Sequence, residues 1–135
     1  MSQRLPFLFV APSGLGGRGV FTGQPLAAGD TIEVCPVIVL PPDDLPAIHA
    51  THLHDYYFLW GKAQNQCAIA LGYGSVYNHS YQANANYLFD YDNNTIDFFC
   101  VKNIEAGEEI TVNYNGEPDD KTLVWFEKDG MRKNP

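Results

Sequence analysis

The sequence lacks several features that would each indicate a particular class of protein. It has no C-x-x-C motif, and Cys35, Cys67 and Cys100 are too few and too widely spaced for a disulfide framework or a cysteine zinc site. It has no long hydrophobic run: the stretch from Leu5 to Pro12 is short and broken by Pro6, which argues against a signal peptide or a membrane span. These absences predict a reduced intracellular setting, cytoplasm or nucleus, and no membrane partner.

Basic residues are also scarce. The 135 residues include 8 Lys and Arg against 16 Asp and Glu, a formal charge of −8, whereas nucleic-acid-binding domains usually carry the opposite sign. We therefore expect no direct contact with nucleic acid. An acidic surface suits a basic peptide partner, although it also serves ordinary solubility. The acidic residues considered as attractors of such a partner are Asp90, Asp92, Asp97, Asp119 and Asp120.

Long helices are missing too, because 12 Gly and 9 Pro interrupt the chain. Short β-branched and aromatic runs, of which Thr31–Leu40 is the clearest, predict strands. Two such runs flank residues 92–94 and predict a hairpin, and the one helical candidate follows Asp43 and Asp44. We predict a single, mostly β domain over residues 1–135, with several small sheets and one or two short helices.

A glycine-rich stretch is present near the N-terminus. Residues 14–19 read G-L-G-G-R-G and fit the dinucleotide fingerprint G-x-G-x-x-G. That fingerprint needs a following helix whose N-terminus binds a pyrophosphate, but Gly23, Pro25 and Gly29 preclude a helix directly after it. The stretch is then either a plain turn or a loop whose missing side chains let a ligand lie against the main chain.

Two later motifs join this loop. Asn78-His79-Ser80 is followed by Asn84, and residues 107–114 read G-E-E-I-T-V-N-Y and end at Tyr114. In order and spacing, the three motifs resemble those of the SET-domain protein lysine methyltransferases, and the resemblance covers about residues 7–115. Each motif alone would be a weak signal, and their joint order is what identifies the family.

The resemblance implies a SET-domain, β-clip-like fold in which the Asn78 segment and the Tyr114 strand meet in a knot-like crossing. It implies S-adenosylmethionine as methyl donor and a lysine of a basic protein or peptide as substrate. The residues it places at the cofactor are Gly17, Arg18, Gly19, Asn78 and His79. Tyr114 would stand at the methyl-transfer channel, with Tyr87 and Tyr56 as the other candidate catalytic tyrosines.

The chain departs from the family pattern at its C-terminal end. Many members carry a cysteine-rich segment after the catalytic tyrosine, and no cysteine follows Cys100 here. We expect residues 115–135 to pack over the cofactor site instead, with Trp125 or Phe126 covering the adenine. A homodimer is expected as a way for so small a chain to recognise its substrate.

The residue types suit amine methylation. Neutralising a lysine at pH 7 costs about 4–5 kcal/mol, and an apolar slot beside a positive sulfonium lowers the pKa of the amine by desolvation and like charge. Tyrosines supply flat walls and a hydroxyl that orients the amine. In some members of the family that this chain resembles, the positions of Tyr87 and Val112 are linked to methylation degree. By that resemblance, a hydroxyl at Tyr87 predicts monomethylation.

Other functions remain open. One is a catalytically silent domain that binds a basic peptide, and another is a methyltransferase for a non-protein amine; the presence of Asn78 and Tyr114 disfavours the silent domain. His49, His52 and His54 have spacing that a metal site could use. No H-E-x-x-H motif accompanies them, so an exposed polar helix end is the favoured interpretation and no metal is predicted.

Overall fold

A computed structural model describes residues 4–114 of the chain. In this part the only α-helix is α1 (Leu45–His49), which two 3₁₀ turns, Pro42–Asp44 and His52–Asp55, flank. The strands are β1 (Leu8–Pro12), β2 (Arg18–Thr22), β3 (Thr31–Leu40), β4 (Phe58–Trp60), β5 (Gln66–Ala70), β6 (Asn78–His79), β7 (Ala85–Asp90), β8 (Thr95–Cys100) and β9 (Glu109–Val112).

The strands of residues 4–114 form two sheets. One has the order β1-β2-β9-β6 and the other the order β4-β5-β3-β8-β7. Pairing is antiparallel except between β6 and β9, which run parallel with Asn78 opposite Thr111 and His79 opposite Val112. The predicted mostly β architecture with small sheets and a short helix is confirmed.

Local sequence explains most of these elements. The predicted strand Thr31–Leu40 is β3, and the predicted hairpin is β7 and β8, with Asn94 taking a φ of 54° in the turn. Asp44 precedes α1, as expected, but its side chain makes no capping hydrogen bond. The helix has five residues and contributes no buried residue to the core.

Strand β9 is buried on both faces. Alternation along residues 110–114 predicts one buried face, yet Ile110, Thr111 and Val112 are all buried. The reason is tertiary, since β2 and β6 pair with β9 on its two edges and β7 packs close to it. Asn113, which follows the strand directly, is buried as well.

The five-stranded sheet curls until its two edge strands meet. Ring centroids of Phe58 on β4 and Tyr87 on β7 lie 5.7 Å apart, and those of Trp60 and Phe89 lie 5.1 Å apart. These contacts form an aromatic wall beside the end of β9.

No helix among residues 4–114 is long and apolar enough to cross a bilayer.

Candidate active site

Asn84 holds β9 in place from the side. Its Nδ2 donates to the Glu109 carbonyl at 2.9 Å, and its Oδ1 accepts from the Thr111 N–H at 2.9 Å. The side-chain amide therefore pairs with the strand as a neighbouring peptide group would. The Ser80 N–H also donates to the Val112 carbonyl at 3.0 Å. The motif of residues 78–84 therefore hydrogen-bonds to β9 near both of its ends.

Asn78 joins all three motifs. Its buried amide nitrogen donates to the Arg18 carbonyl at 2.8 Å and to Glu109 Oε2 at 2.8 Å. An amide has two hydrogens, and both are committed here, so the side chain can offer a ligand only its oxygen acceptor. Glu109 Oε1 accepts in turn from the Ser13 hydroxyl at 2.6 Å, which fixes the glycine loop against β6 and β9.

The glycines of the loop serve two different needs. Gly17 has a φ of 60°, a conformation that residues with a side chain rarely adopt, and its carbonyl accepts from the Ser13 N–H at 2.9 Å to close the loop. Gly19 is buried under the site: a Cβ there would collide with the Glu109 carboxylate and lie 2.9 Å from Asn78 Nδ2. The chain continues as β2, not as a phosphate-binding helix.

This corner has the wrong chemistry for a phosphate and the right one for an amine. The Glu109 carboxylate, the Asn78 amide oxygen and the Arg18 carbonyl are acceptors. Acceptors beside a negative charge favour a cationic ammonium group. The α-ammonium of S-adenosylmethionine is such a group, so the residues present fit this cofactor.

A cavity of about 540 Å³ opens beside β4 and β7. Its lining brings together the three predicted catalytic tyrosines, which lie far apart in the sequence, and adds aromatic residues that sequence reasoning missed. The aromatic lining residues are Tyr56, Tyr57, Phe58, Tyr77, Tyr87, Phe89 and Tyr114. Val112 also lines the cavity, so an apolar, phenol-rich slot lies directly beside the paired strands β6 and β9.

Tyr114 is held at both of its ends. Its backbone N–H donates to His79 Nδ1 at 3.0 Å, and its hydroxyl donates to the Tyr77 carbonyl at 2.8 Å. The first bond requires Nδ1 to be unprotonated, which places the proton of a neutral His79 ring on Nε2. The predicted cofactor residue His79 therefore also orients the predicted catalytic tyrosine.

The other two phenols differ in environment. Burial raises the pKa of Tyr87 to about 12, so at neutral pH this side chain is a hydrogen-bond donor and not a base. Burial also raises the pKa of Tyr56, the Asp55 carboxylate adds to the rise, and Arg18 opposes it. Both phenols can orient an amine, and neither removes a proton at neutral pH.

Several predicted or considered residues lie elsewhere. Of the candidate acidic attractors, Asp90 accepts hydrogen bonds from Asn93 in the hairpin turn, which lower its pKa, and Asp97 accepts from Thr95 at 2.7 Å. The acidic residue that does line the cavity is Asp55. The remaining candidates in the C-terminal segment lie outside the described residues: Asp119, Asp120, Trp125 and Phe126.

The histidine run forms local hydrogen bonds. His49 Nδ1 lies 2.8 Å from the Tyr57 hydroxyl, and His54 Nδ1 lies 2.9 Å from the His49 carbonyl. Residues 4–114 contain no group of three His, Cys, Asp or Glu side chains placed to hold a metal ion. Tyr57 thus reaches the cavity with its hydroxyl tied to the helix end.

Glu109 and Tyr77 are two further site residues that sequence reasoning left without a role. Glu109 stands inside the third motif, next to Glu108, and Tyr77 directly precedes Asn78. Position beside a motif was the available signal in both cases. Their functions depend on contacts to Asn78 and Tyr114 that the linear sequence does not display.

Comparison with known proteins agrees with this geometry. A sequence model of the SET domain matches residues 17–115. The chain is also similar to a histone-lysine N-methyltransferase of Schizosaccharomyces pombe, specific for lysine 37 of histone H3. The two are 31% identical over 113 residues, which are 82% of this chain and 71% of the relative.

Solved structures share the fold. A Plasmodium falciparum protein described as a candidate histone methyltransferase superposes with a TM-score of 0.68 at 28% identity, over 84% of this chain and 95% of that one. A humanized mutant of the Chaetomium thermophilum Polycomb Repressive Complex 2 superposes with a TM-score of 0.66 at 20% identity. That match covers 84% of this chain and 15% of the other, and shows likeness of fold alone.

Proposed function

We propose that this chain, which belongs to the SET-domain family and transfers a methyl group to a lysine side chain, takes the methyl group from S-adenosylmethionine and acts on a lysine in a basic segment of a histone-type protein. The named specificity of the Schizosaccharomyces pombe relative supports a histone as the substrate class. The formal charge of −8 and Asp55 at the cavity favour a Lys- and Arg-rich segment over an acidic one.

The glycine loop and the Asn78 corner are proposed to hold the cofactor. Gly17 and Arg18 are exposed residues against which the cofactor can lie, and the Asn78 oxygen with the Glu109 carboxylate accepts from the ammonium group. When bound, S-adenosylmethionine supplies an electrophilic methyl group on a positively charged sulfonium. The close approach of Gly19 keeps Glu109 against Asn78 and so maintains the negative charge of this corner.

The tyrosine cavity is proposed to hold the substrate lysine. Its aromatic walls remove water from the amine, which lowers the pKa of the lysine and favours the neutral, nucleophilic form. The Tyr114 hydroxyl, tied to the Tyr77 carbonyl, stands at a defined place on the wall and orients the amine. Alignment of the reacting atoms is the main contribution that such a site makes to the rate.

One observation carries this proposal. Asn78 hydrogen-bonds to the glycine loop, and its neighbour His79 hydrogen-bonds to Tyr114. The acceptor corner proposed for the cofactor and the cavity proposed for the lysine therefore adjoin through two consecutive residues. A domain that merely bound a basic peptide would have no need for the acceptor corner. A small-amine enzyme would have no need for a wide aromatic opening beside an edge strand.

Cofactor binding provides the first test. We expect calorimetry to show S-adenosylmethionine binding to the wild type and binding about tenfold weaker to Asn78→Ala, since one hydrogen bond to a charged group is lost. Asn93→Ala, in the exposed hairpin turn, is the matched control and should bind as the wild type does. Mass spectrometry of histone peptides after incubation with wild-type enzyme then identifies the methylated lysine.

Each alternative has its own signature in these assays. Cofactor binding without modification of any lysine peptide, but with methylation of small amines, would support the non-protein substrate. Peptide binding by a wild-type protein that shows no heat of cofactor binding would support the silent domain. Either outcome would contradict the proposed function.

Methylation degree gives a further prediction. Tyr87→Phe removes one hydroxyl from the cavity and leaves the ring against Phe58 and Phe98. Without this hydroxyl the cavity has more room and offers the amine one hydrogen-bond partner fewer. A methylated amine can then rotate and react again, so the main product should change from monomethyl-lysine to di- and trimethyl-lysine. Mass spectrometry of the product should show this change, and Tyr91→Phe, outside the cavity lining, should not. Abundant trimethyl-lysine from the wild type would contradict it.

Three finer expectations stay predictions. They are the homodimer, the choice between nucleus and cytoplasm, and the packing of residues 115–135 with Trp125 or Phe126 over the cofactor. Three free, buried cysteines among residues 4–114 support the intracellular setting.

A further inference from the structure

A buried carboxylate lies behind the active site. Among residues 4–114, Glu33 on β3 is the only Asp, Glu, Lys or Arg that is buried, with 3% of its surface exposed. Burying a charge costs several kcal/mol unless partners compensate for it. The Glu33 side chain therefore needs compensating hydrogen-bond or ionic partners, and its place in the core needs an explanation.

The carboxylate has a partner on each oxygen. Oε1 accepts from the Tyr77 hydroxyl at 2.7 Å, and Oε2 accepts from the Tyr73 N–H at 3.0 Å. The Arg4 guanidinium stands 3.6 Å from Oε2 and stacks on the Tyr73 ring. A Cβ at Gly72 would collide with Oε2, so the chain leaves room for the carboxylate in one orientation.

Tyr77 links Glu33 to Tyr114 through two hydrogen bonds. Its side chain is 1% exposed, its ring stacks on Phe98 with centroids 4.4 Å apart, and its hydroxyl ends on Glu33. Fixing both the ring and the hydroxyl leaves its main chain little freedom. The carbonyl of the same residue accepts the Tyr114 hydroxyl at 2.8 Å.

Stability alone does not explain the pair. Apolar residues of similar volume often replace a buried polar pair at no cost, or with a gain in stability. The two hydrogen bonds instead run in series from β3 through Tyr77 to the phenol that faces the cavity. Such a series specifies one position for a hydroxyl, and position is what this kind of catalysis needs.

We propose that Glu33 is a positioning residue for methyl transfer, which acts through Tyr77 to set the place of the Tyr114 hydroxyl. This inference rests on the proposed function of the cavity. Glu33 touches neither substrate nor cofactor. Its effect should therefore appear in the rate of the chemical step and not in the binding of either ligand.

The central experiment is a double-mutant cycle on kcat. Glu33→Gln or Tyr77→Phe should lower kcat roughly tenfold, less than the loss of about 100-fold for a fully misplaced group, with the KM for a histone peptide and the Kd for S-adenosylmethionine unchanged. In a Tyr114→Phe background the same Glu33→Gln change should lower kcat no further, because the hydroxyl it positions is gone. An equal fall in both backgrounds would show a merely structural role and overturn the proposal.

Folding defects are separated by a second variant. Glu33→Met combined with Tyr77→Phe removes both sides of the Glu33–Tyr77 hydrogen bond, so neither side chain is left buried without the other. The Tyr73 N–H loses its acceptor in this variant as it does in Glu33→Met alone. We therefore expect the double variant to recover part of the Tm that Glu33→Met alone loses, while kcat stays low. Recovery of kcat together with Tm would contradict a positioning role.

A spectroscopic readout is independent of activity. In protein labelled with ¹³C at tyrosine Cζ, Tyr114→Phe identifies the Tyr114 resonance, and Glu33→Gln should shift that resonance. Tyr73→Phe is the control, because it removes a nearby phenol hydroxyl and keeps the backbone N–H that Glu33 accepts. An unshifted Tyr114 resonance in Glu33→Gln would refute the coupling, and this holds even if the wild type methylates no lysine and the proposed function fails.

Discussion

Replacing Tyr114 with Phe is expected to lower kcat roughly 100-fold, the scale of loss for a misplaced reacting group. The change removes only the hydroxyl that donates to the Tyr77 carbonyl. The ring keeps its contact with His79, at a centroid distance of 5.1 Å, and the backbone N–H keeps its bond to Nδ1. Because the acceptor corner at Asn78 and Glu109 is not altered, cofactor binding should stay unchanged.

Single-turnover methylation of a histone peptide measures this effect without interference from product release. Calorimetry with S-adenosylmethionine shows whether the acceptor corner proposed to bind this cofactor is intact. Tyr91→Phe serves as the control, since it loses the same hydroxyl at a partly exposed position away from the cavity. A Tyr114→Phe enzyme with near wild-type kcat would remove Tyr114 from the mechanism.

The second large effect is expected at Gly19. A Cβ in Gly19→Ala would collide with the Glu109 carboxylate and crowd the Asn78 amide. Glu109 is a flexible side chain and can move, so the fold should lose only about 1 kcal/mol of unfolding free energy. The site should lose more, because the movement breaks the Asn78–Glu109 hydrogen bond and displaces the acceptor that we propose to face the cofactor.

We expect the affinity of Gly19→Ala for S-adenosylmethionine to fall roughly 100-fold, since it perturbs two charged or polar contacts together. Calorimetry measures the affinity, and chemical denaturation measures the unfolding free energy. Gly14→Ala is the matched control in the same loop, because nothing lies within 4 Å of its added Cβ. If both alanine variants bind the cofactor equally well, the close approach at Gly19 has no role in binding.

Local pattern was sufficient for the elements of the fold. The β-branched run from Thr31 to Leu40 is a strand in the structure, and the turn-forming residues 92–94 lie in the β7–β8 hairpin. Both features depend on neighbours in the sequence. The burial of β9 on two faces was not predictable in the same way, since it depends on β2 and β6, which are distant in the chain.

The sequence by itself determined the family, because three short motifs in one order are a property of the linear chain. Only the tertiary structure decided the site, through hydrogen bonds between distant residues. Ser13 and Glu109 are 96 residues apart, Asn78 and Arg18 are 60 apart, and Tyr77 and Glu33 are 44 apart. Whether such pairs meet depends on strand register and on the parallel pairing of β6 with β9, and residue type at either position carries no information about the other. The acceptor corner, the five tyrosines around one cavity and the buried Glu33 behind Tyr114 are therefore products of folding.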